Sequence, residues 1–516
     1  MMKRLFAGAL AGVTILGLAA CAAPAVQRGA AETEKTAAMT ETAVYGAAKN
    51  PKYVFLFIGD GMSYPQIQST SDYLGALQDA DYRQAQPSLD DNQGAKLDGP
   101  EYLNFMNFEA AGSAVTYDSN SFAPDSASIA TGYKTYSGSI NVDETGSKKY
   151  ETIAEKLKEQ KGWEIGVISS VNLNHATPAA FYAHQASRND YYEIGLELVA
   201  SGFDYFAGGG LLKPTGADGH QKDLYTLAEE AGYTVARTNA EASAINASTD
   251  QAILIDEDLA DSDAMAYEID RTSDMWSLAD YVEKGIEVLN NSKGFFLMCE
   301  GGKIDWACHA NDAASTIHDT QALADAVQVA VDFAKKHPSD TLILVTGDHE
   351  TGGLTIGYAG TDYDTYLDLL ENQKISFAKF DSDYVAKYKT EKTPFADVLR
   401  DVEKLFGLKA SGAQSDKLVL TDYEMQQLKT AYEKSVNGTA ASPYDQEESI
   451  LYGTYEPLSV TITHIINNKS GVSFTSYSHT GLPVAVLAEG AGADTFNGYY
   501  DNTQIYTKLA ALVGVR

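Results

Sequence analysis

Acidic and imidazole side chains follow a short apolar segment at residues 294–314, with the sequence GFFLMCEGGKIDWACHANDAA. The run before Glu300 has the length and composition of a buried strand, and the Gly-Gly turn after it is predicted to lead into a helix at 303–314. On a helix, Asp305 and His309 lie one turn apart on the same face. Carboxylates and an imidazole together suit zinc beside a harder cation. An exposed acidic turn with a solvated histidine is the alternative for this segment alone.

Other predicted core strands also lie beside acidic or imidazole side chains. The segment KYVFLFIGDGM stops at a Gly-Asp-Gly turn, which leaves Asp60 at the C-terminal end of the strand. The segment TLILVTGDHETGG ends in Asp348 and His349, and His479 precedes a last core strand at 483–488. In open α/β sheets, ligands bind at the carboxyl ends of the strands. Each residue alone could be an ordinary turn residue, so it is their repetition that favours a ligand site.

Ser126 lies at the start of a predicted helix, in the sequence APDSASIATGYKT. Pro124 ends the preceding segment, and either Asp125 or Ser126 would serve as the N-cap. A serine here also lies at the positive end of the helix, where backbone N–H groups favour an alkoxide and an incoming anion. The N-cap and the nucleophile therefore remain alternatives.

A further predicted strand, WEIGVISSV, leads into the segment HATPAAFYAHQASR. Thr177 followed by proline is an ordinary helix start. That interpretation does not account for His175 before it or for Arg188 at the end of the segment. The planar guanidinium of Arg188 can bind a phosphate through two hydrogen bonds, although a surface arginine paired with an acid is the alternative.

The metal-binding side chains collected so far are Asp60, Glu300, Asp305, His309, Asp348, His349 and His479. Seven are too many for one mononuclear site, so we expect two or three divalent ions. Two ions about 4 Å apart can hold the attacking and leaving oxygens of an in-line displacement. Ser126 is then the candidate nucleophile.

These elements predict a single large α/β domain at residues 51–516, with a mostly parallel central β-sheet between two layers of helices. The chain has 516 residues, 44% of them hydrophobic, which suffices for a large core and excludes disorder for most of its length. Residues from about 360 to 470 have no comparable strand-end motif. We interpret them as an insertion that covers the site or forms an interface.

The N-terminus has two basic residues, an apolar run at 5–18 and small residues directly before Cys21. The run is short for a membrane span and is typical of a signal peptide at 1–20. The small residues resemble a bacterial lipobox, which implies lipidation of Cys21; an ordinary secretory signal peptide is the alternative. Residues 21–50 are predicted to be a flexible tether. We expect an exported protein, periplasmic or at the cell surface, that contacts the membrane only through this anchor.

The net charge of −33 restricts the class of partner. Such a surface repels nucleic acid and anionic lipid, so we expect no nucleic-acid binding. An anionic substrate would need a local positive site, which bound divalent cations would supply. Apart from Cys21 only Cys299 and Cys308 are present, which excludes a disulfide framework. We interpret both as small buried residues, with metal binding as the alternative.

The motifs, in this order, resemble those of the alkaline phosphatase family, and the resemblance covers residues 51–359 and 474–513. Each motif is weak alone, but six in the family's order make a specific signal. The resemblance implies a centre with two zinc ions and one magnesium ion. The implied ligands are Asp305, His309 and His479 for the first zinc, Asp60, Asp348 and His349 for the second zinc, which faces Ser126, and Asp60, Thr177 and Glu300 for magnesium.

The activity implied by the resemblance is hydrolysis of small phosphate monoesters through a phosphoserine. Ser126 attacks phosphorus, the second zinc lowers the pKa of Ser126, and the first zinc neutralises the departing oxygen. Water on the first zinc then releases phosphate, and Arg188 binds the non-bridging oxygens throughout. The family is usually dimeric, so a homodimer is an open expectation.

Two positions depart from the branch of the family best known from enteric bacteria. That branch has an acid where this chain has His175, and a lysine where it has Trp306. The pair resembles that of some marine bacterial members, and we assign both residues to substrate binding with Arg188. The departure leaves open whether the third site holds magnesium or zinc.

Two classes of alternative remain. A phosphodiesterase, phosphonate hydrolase or sulfatase of the same superfamily would share the metal ligands but not the substrate pocket. Arg188 and Ser126, together with the magnesium ligands Thr177 and Glu300, favour the monoesterase. A phosphate-capturing solute-binding lipoprotein would suit the chain's length and anchor. It would need neither metal ligands at strand ends nor a serine at a helix N-terminus.

Overall fold

Fourteen strands are formed by the residues that this computed structural model describes, which are 50–84, 97, 99–116, 126–413, 415–438 and 445–516. The strands are β1 Tyr53–Gly59, β2 Ala110–Val115, β3 Glu164–Ser169, β4 Tyr205–Gly208, β5 Thr234–Ala236, β6 Ala252–Ile255, β7 Phe295–Gly301, β8 Thr341–Gly347, β9 Glu350–Thr351, β10 Thr355–Ile356, β11 Val472–Ser473, β12 His479–Thr480, β13 Val484–Gly490 and β14 Gly498–Asp501. The predicted signal peptide, Cys21 and the tether up to residue 49 lie outside the described residues.

Ten of the strands form one central sheet in the order β14-β2-β13-β8-β1-β7-β3-β4-β6-β5. Neighbouring strands are parallel except around β13, which runs antiparallel to both β2 and β8. Every residue of the central strands β1, β7 and β8 is buried. This burial on both faces explains why these strands are continuous apolar runs in the sequence. The predicted mostly parallel α/β sheet is confirmed.

Helices cover both faces of the sheet. They are α1 Tyr64–Gln78, α2 Ala80–Gln84, α3 Ser126–Thr131, α4 Ile153–Lys161, α5 Ala176–Ala179, α6 Tyr191–Ala200, α7 Leu224–Ala231, α8 Asn239–Ala244, α9 Leu278–Leu289, α10 Lys303–His309, α11 Ala313–Lys336, α12 Phe377–Phe380, α13 Ala386–Glu391, α14 Phe395–Phe406, α15 Asp422–Asn437, α16 Gln446–Tyr452, α17 Pro457–Lys469 and α18 Thr503–Val513. Within the described ranges, no helix combines the length and apolar character needed to cross a bilayer.

Alternate residues of the central strands pack into two separate apolar layers. On β1, Leu56 and Ile58 belong to the layer that also contains Leu509 of α18. Phe55 and Phe57 belong to the opposite layer, which contains Leu323 and other residues of α11. Side chains alternate between the two faces of a strand, so one apolar strand fills both layers. The three-layer arrangement is the one predicted.

The helix predicted at 303–314 is interrupted. α10 ends at His309, and Asn311 has a positive φ of 53° before α11 begins. Its side-chain amide donates hydrogen bonds to the carbonyl oxygens of Cys308 and Ser476, both at 2.9 Å. Asparagine tolerates this left-handed conformation, so the sequence allows a sharp turn where its helical pattern predicted continuity.

The predicted insertion at about 360–470 is a mostly helical region, and we call its residues 367–469 the helical insertion. Its apolar residues, which include Phe380, Val402 and Phe406, form one cluster with residues of α1 and α11. The same cluster contains Ile317 of α11, so the insertion packs directly on the helix that follows the predicted metal ligands.

Candidate metal centre

The carboxyl ends of the three central strands bring acidic residues together. β1 pairs in parallel with both β7 and β8, and the last residues of the three strands lie opposite one another. Asp60, Glu300 and Asp348 therefore meet at one edge of the sheet. Gly347 passes so close to the chain that a Cβ atom there would lie 2.0 Å from the carbonyl oxygen of Met62. The turn before Asp348 therefore requires glycine.

Asp60, Asp348 and His349 form one group of candidate ligands, whose ligand atoms lie within 4.8 Å of one another. His349 Nε2 is 3.2 Å from Asp60 Oδ1. The Oγ of Ser126, the first residue of α3, donates a hydrogen bond of 2.9 Å to Asp348 Oδ2. The backbone N–H groups of Gly61 and His349 donate to the other oxygen, Asp348 Oδ1, at 3.3 and 3.0 Å. The predicted second-zinc ligands and the predicted nucleophile are therefore adjacent.

Asp305, His309 and His479 form a second group. His309 Nε2 is 3.3 Å from Asp305 Oδ1 on the same face of α10. His479 comes from β12, whose antiparallel pairing with β9 brings its ring centroid to 3.6 Å from that of His349. His309 Nδ1 lies 2.6 Å from the carbonyl oxygen of Tyr477. Because a carbonyl oxygen can only accept, the proton lies on Nδ1, and Nε2 can bind a metal.

Asp60, His175 and Glu300 form a third group. The resemblance predicted Asp60, Thr177 and Glu300 for this position, and Thr177 Oγ1 does lie 3.4 Å from Asp60 Oδ2. His175 was assigned to substrate binding, and its Nε2 is 2.9 Å from Arg188 Nη2. Its position therefore joins the third group to Arg188, so one residue has contacts with both parts of the site.

The third group has the properties of a cation site. Asp60 Oδ1, Glu300 Oε1 and His175 Nδ1 are buried and have no hydrogen-bond partner among the described residues. Because Arg188 can only donate, His175 Nε2 accepts and Nδ1 carries the proton, so the two carboxylates are the ligands that this group offers a cation. Burial, together with Asp348, raises the pKa of Glu300 to about 8, and burial with neighbouring carboxylates raises that of Asp60 well above its ordinary value. Buried carboxylates that repel one another are costly unless a cation lies between them. The carboxylate oxygens suit magnesium, and zinc would bind the imidazole only if Nδ1 lost its proton.

The histidines of the first two groups differ in charge. Burial alone would lower the pKa of His309, but Asp305 outweighs burial and raises it to about 9, so Nε2 must lose a proton before it binds a metal. Burial lowers the pKa of His349 to about 4 and that of His479 to about 3, so both rings are neutral at pH 7. Neutral imidazole is the form that binds zinc. Burial alone would raise the pKa of Asp305, but His309 and His479 outweigh burial and hold it well below its usual value. The pair of Asp305 and His309 thus keeps an ionised carboxylate available to a metal.

A cavity of about 120 Å³ opens beside these groups. Its lining includes Arg188 and the predicted ligands Asp60, Thr177, Asp305, Asp348, His349 and His479. We call it the inner cavity; it has room for about four waters at ~30 Å³ each, which is the scale of a phosphate group. Ser126 is 2% exposed and is not among the lining residues, and it contacts the site through Asp348.

A second cavity of about 360 Å³, the outer cavity, shares His175, Arg188, Asp305 and His479 with the inner one. It is lined by Trp306, whose predicted role is substrate binding, together with Tyr267, Phe377 and Tyr455. Sequence analysis missed these three residues. Tyr267 lies in a region without a recognisable motif, and the other two lie in the helical insertion, whose tyrosine-rich composition was the one available signal.

Cys299 and Cys308 are both buried and free. Cys308 Sγ lies 3.4 Å from Thr316 Oγ1, away from the ligand face of α10. Neither thiol belongs to any of the candidate metal groups found among the described residues. Their environment agrees with the interpretation of both as small buried side chains.

The chain matches known proteins over most of its length. The family model for alkaline phosphatase matches residues 48–515. Alkaline phosphatase 4 of Bacillus subtilis (strain 168) is 31% identical over 472 residues, which cover 87% of this chain and 86% of the relative. Alkaline phosphatase 3 of the same organism is 31% identical over 471 residues, covering 88% and 87%.

Solved structures agree with these relatives. The cold-active alkaline phosphatase of the psychrophile Shewanella sp. has a TM-score of 0.67 at 28% identity, covering 89% of this chain and 99% of that one. The alkaline phosphatase of Thermus thermophilus has a TM-score of 0.71 at 24% identity, covering 93% and 96%, and this likeness shows the shared fold. The chain belongs to the alkaline phosphatase family, whose activity is the hydrolysis of phosphate monoesters.

Proposed function

We propose that this chain hydrolyses phosphate monoesters through a phosphoserine at Ser126, with two zinc ions and one magnesium ion. The observation that carries the proposal is the hydrogen bond of 2.9 Å from Ser126 Oγ to Asp348 Oδ2. It places a nucleophile against a metal-binding carboxylate, beside a phosphate-sized cavity that Arg188 lines. Family membership supports the same reaction.

The three groups of candidate ligands would hold the three ions. The assignments are Asp305, His309 and His479 for one zinc, Asp60, Asp348 and His349 for the other zinc, and, for magnesium, Asp60 and Glu300 of the third group with the neighbouring Thr177. When bound, the ions lower the pKa of adjacent hydroxyl groups and stabilise negative charge on the attacking and leaving oxygens. Zinc is the alternative occupant of the third group, and it would gain His175 as a ligand only if Nδ1 lost its proton, because Nε2 accepts from Arg188.

The residues of the chain orient the two displacement steps. Asp348 Oδ2 accepts the hydrogen bond from Ser126 and so directs the Oγ lone pairs away from itself. Ser126 Oγ releases its proton to solvent and forms a bond to phosphorus while the bond to the alcohol oxygen breaks, and the departing alkoxide takes a proton from water. Water then attacks the phosphoserine, which releases inorganic phosphate and restores the hydroxyl.

Arg188 would bind the non-bridging phosphoryl oxygens in both steps. Its guanidinium has five N–H donors, and one of its terminal nitrogens is already held by His175 at 2.9 Å. This contact limits the orientations of the side chain, so the remaining donors are directed to the inner cavity before substrate arrives. His175 would therefore position Arg188 in addition to its contact with the third group.

The test is release of phosphate from p-nitrophenyl phosphate at alkaline pH by the unmodified chain and by Ser126→Ala. We expect kcat/KM to fall at least about a thousandfold in Ser126→Ala, because the nucleophile is lost. Ser128→Ala is the matched control: Ser128 is equally buried on the same helix and lines neither cavity. The unmodified chain and both variants should each contain two to three divalent ions per chain. EDTA should abolish turnover by the unmodified chain and by Ser128→Ala.

Three outcomes would contradict the proposal. Full activity in Ser126→Ala would exclude the phosphoserine. Preference for bis-p-nitrophenyl phosphate would indicate a diesterase with the same metal ligands. No turnover of either ester with zinc and magnesium restored would exclude catalysis and favour phosphate capture.

We also propose that the chain is exported and anchored by a lipid on Cys21, at the periplasmic or outer surface of a membrane. The support is the signal-peptide and lipobox pattern at residues 1–21. Cys21→Ser should release the chain from the membrane fraction, and a variant that stays bound would contradict the anchor. A homodimer is the oligomeric state we propose from the resemblance, and light scattering of the purified chain would test it.

A further inference from the structure

We infer that the outer cavity binds a planar aromatic leaving group, so that this chain prefers phosphate monoesters whose alcohol carries an aromatic ring. The inference rests on the proposed function and specifies the substrate class of the same site. It assigns a role to the helical insertion, which contributes Phe377 and Tyr455 to this cavity. We call Trp306, Phe377 and Tyr455 the aromatic wall.

The outer cavity lies where the alcohol of a bound phosphate ester would be. A phosphoryl group in the inner cavity, bound to Arg188, would leave its alcohol facing the residues that the two cavities share, which include His175, Asp305 and His479. The volume of about 360 Å³ is three times that of the inner cavity and falls in the range of small-molecule sites. It has room for a ring that the inner cavity would exclude.

The lining selects the chemistry of the leaving group. Apart from the phosphate-binding residues and predicted metal ligands, the outer cavity is lined by Asp261, Ser262, Tyr267, Trp306, Phe377 and Tyr455. Four of these six side chains are aromatic. Asp261 is already paired with Lys303 Nζ at 2.8 Å. An aromatic ring would gain stacking or edge contacts with these side chains that an aliphatic alcohol would not.

The aromatic side chains contact one another. The ring centroid of Phe377 is 5.7 Å from that of Tyr267 and 5.8 Å from that of Tyr455, with interplanar angles of 67° and 82°. On the other side, Trp306 packs at 5.7 Å and 75° from His175, which contacts Arg188. These edge-to-face contacts connect the aromatic wall to the phosphate-binding arginine.

Buried polar contacts hold the aromatic wall in place. The backbone N–H of Phe377 donates to Asp312 Oδ2 at 3.0 Å, and Asp312 is fully buried at the N-cap of α11. Lys303 Nζ, also buried, lies 4.6 Å from the ring of Trp306 and 4.0 Å from that of Tyr267. Because these contacts already fix the aromatic side chains, little side-chain entropy is lost when a ring binds to them.

The test compares benzyl phosphate with cyclohexylmethyl phosphate. Both esters have primary alcohols of similar size as leaving groups. Because benzyl alcohol is the more acidic of the two, it is the change of their ratio in a variant that reports recognition of the ring. We expect kcat/KM to favour benzyl phosphate about fivefold, which is the size of a favourable aromatic contact. Tyr455→Leu should lower this ratio towards one, and Tyr455→Phe should keep it because the ring remains. Tyr363→Leu is the matched control, since Tyr363 belongs to the same part of the chain and is 96% exposed.

Binding of the stable analogues benzylphosphonate and cyclohexylmethylphosphonate gives a second readout by calorimetry on the metal-loaded chain. We expect the same preference in Kd and the same loss in Tyr455→Leu. A ratio near one in the unmodified chain, or a ratio that Tyr455→Leu leaves unchanged, would overturn the inference while methyl phosphate hydrolysis still supports the proposed function. If no monoester is hydrolysed, the proposed function fails, and the Kd ratio alone decides whether the aromatic wall binds rings.

Discussion

The carboxyl edge of the central sheet and the helical insertion are both buried, but opposite kinds of side chain fill them. At the edge, Asp60, Glu300 and Asp348 are at most 3% exposed. In the insertion, most of the buried positions are apolar, with Phe380 and Phe406 fully covered, and the buried polar residues described there are uncharged. Burying like charges costs free energy, whereas burying apolar surface supplies it.

The difference indicates a division of tasks. The sheet edge holds charges that only a cation would compensate, so its residues serve binding and chemistry at the expense of stability. The insertion is stabilised by an apolar cluster that it shares with α1 and α11. It contributes Phe377 and Tyr455 to the outer cavity. Changes at the edge should therefore alter activity and metal dependence, and changes in the insertion should alter stability.

Asp348→Asn should have the largest effect. It removes a candidate ligand and the partner of Ser126, so kcat/KM should fall at least about a thousandfold. After EDTA treatment, however, the variant should resist urea better than the unmodified chain, because one of the repelling carboxylates is gone. Steady-state kinetics measure the loss of kcat/KM, and urea unfolding measures the stability of the metal-free variant. A variant that is inactive and also less stable without metals would show that the edge is stabilising.

Phe380→Ala should have the largest effect on stability. Phe380 is fully buried and packs against Phe406 with ring centroids 5.1 Å apart. Its truncation should lower the free energy of unfolding by about 3–5 kcal/mol, while the metal content stays the same. Urea unfolding with metal analysis measures both. Tyr423→Ala is the control, since Tyr423 is 70% exposed and should change stability by less than about 0.5 kcal/mol.

The metal-free chain should become less stable as pH rises. Burial raises the pKa of Glu300 from 4.5 to about 8, so between these values the folded chain holds a proton that the unfolded chain has released. The free energy of unfolding should then fall by up to about 1 kcal/mol per pH unit over this window. Unfolding of EDTA-treated protein at several pH values measures the slope. Glu300→Gln should flatten it, and an unchanged slope in that variant would place its origin elsewhere.

Asp381→Asn should have the smallest effect on the free energy of unfolding. Asp381 is a carboxyl group of the insertion whose pKa is raised by burial, as that of Glu300 is at the sheet edge. Burial raises the pKa of Asp381 to about 7, above its ordinary 3.8, so the folded state loses stability as pH rises through this window. At pH 8 the variant should be more stable by about 1–2 kcal/mol, and at pH 4 equal to the unmodified chain. Thermal unfolding at both pH values checks this. Asp383→Asn, at an exposed neighbouring position, should change neither value.

Much of the sheet could be predicted because the central strands are apolar throughout. The patterns of β1, β3, β7 and β8 were recognisable, since strands buried on both faces need apolar residues at every position. β2, with the sequence AAGSAV, and the three-residue β5 lack that signal. They are strands because they pair with stronger neighbours. The interruption at Asn311 was missed because residues on both sides favour helix.

The sequence by itself determined which residue types lie at the ends of strands, since apolar runs and glycine turns are local properties. It thereby identified the acidic and imidazole residues and, through their order, the family. Only the tertiary structure decided which of them share a group, that His175 lies between the third group and Arg188, and that the insertion reaches the outer cavity. These contacts join segments up to hundreds of residues apart. They depend on strand order in the sheet and on helix packing, which no local pattern of residues specifies.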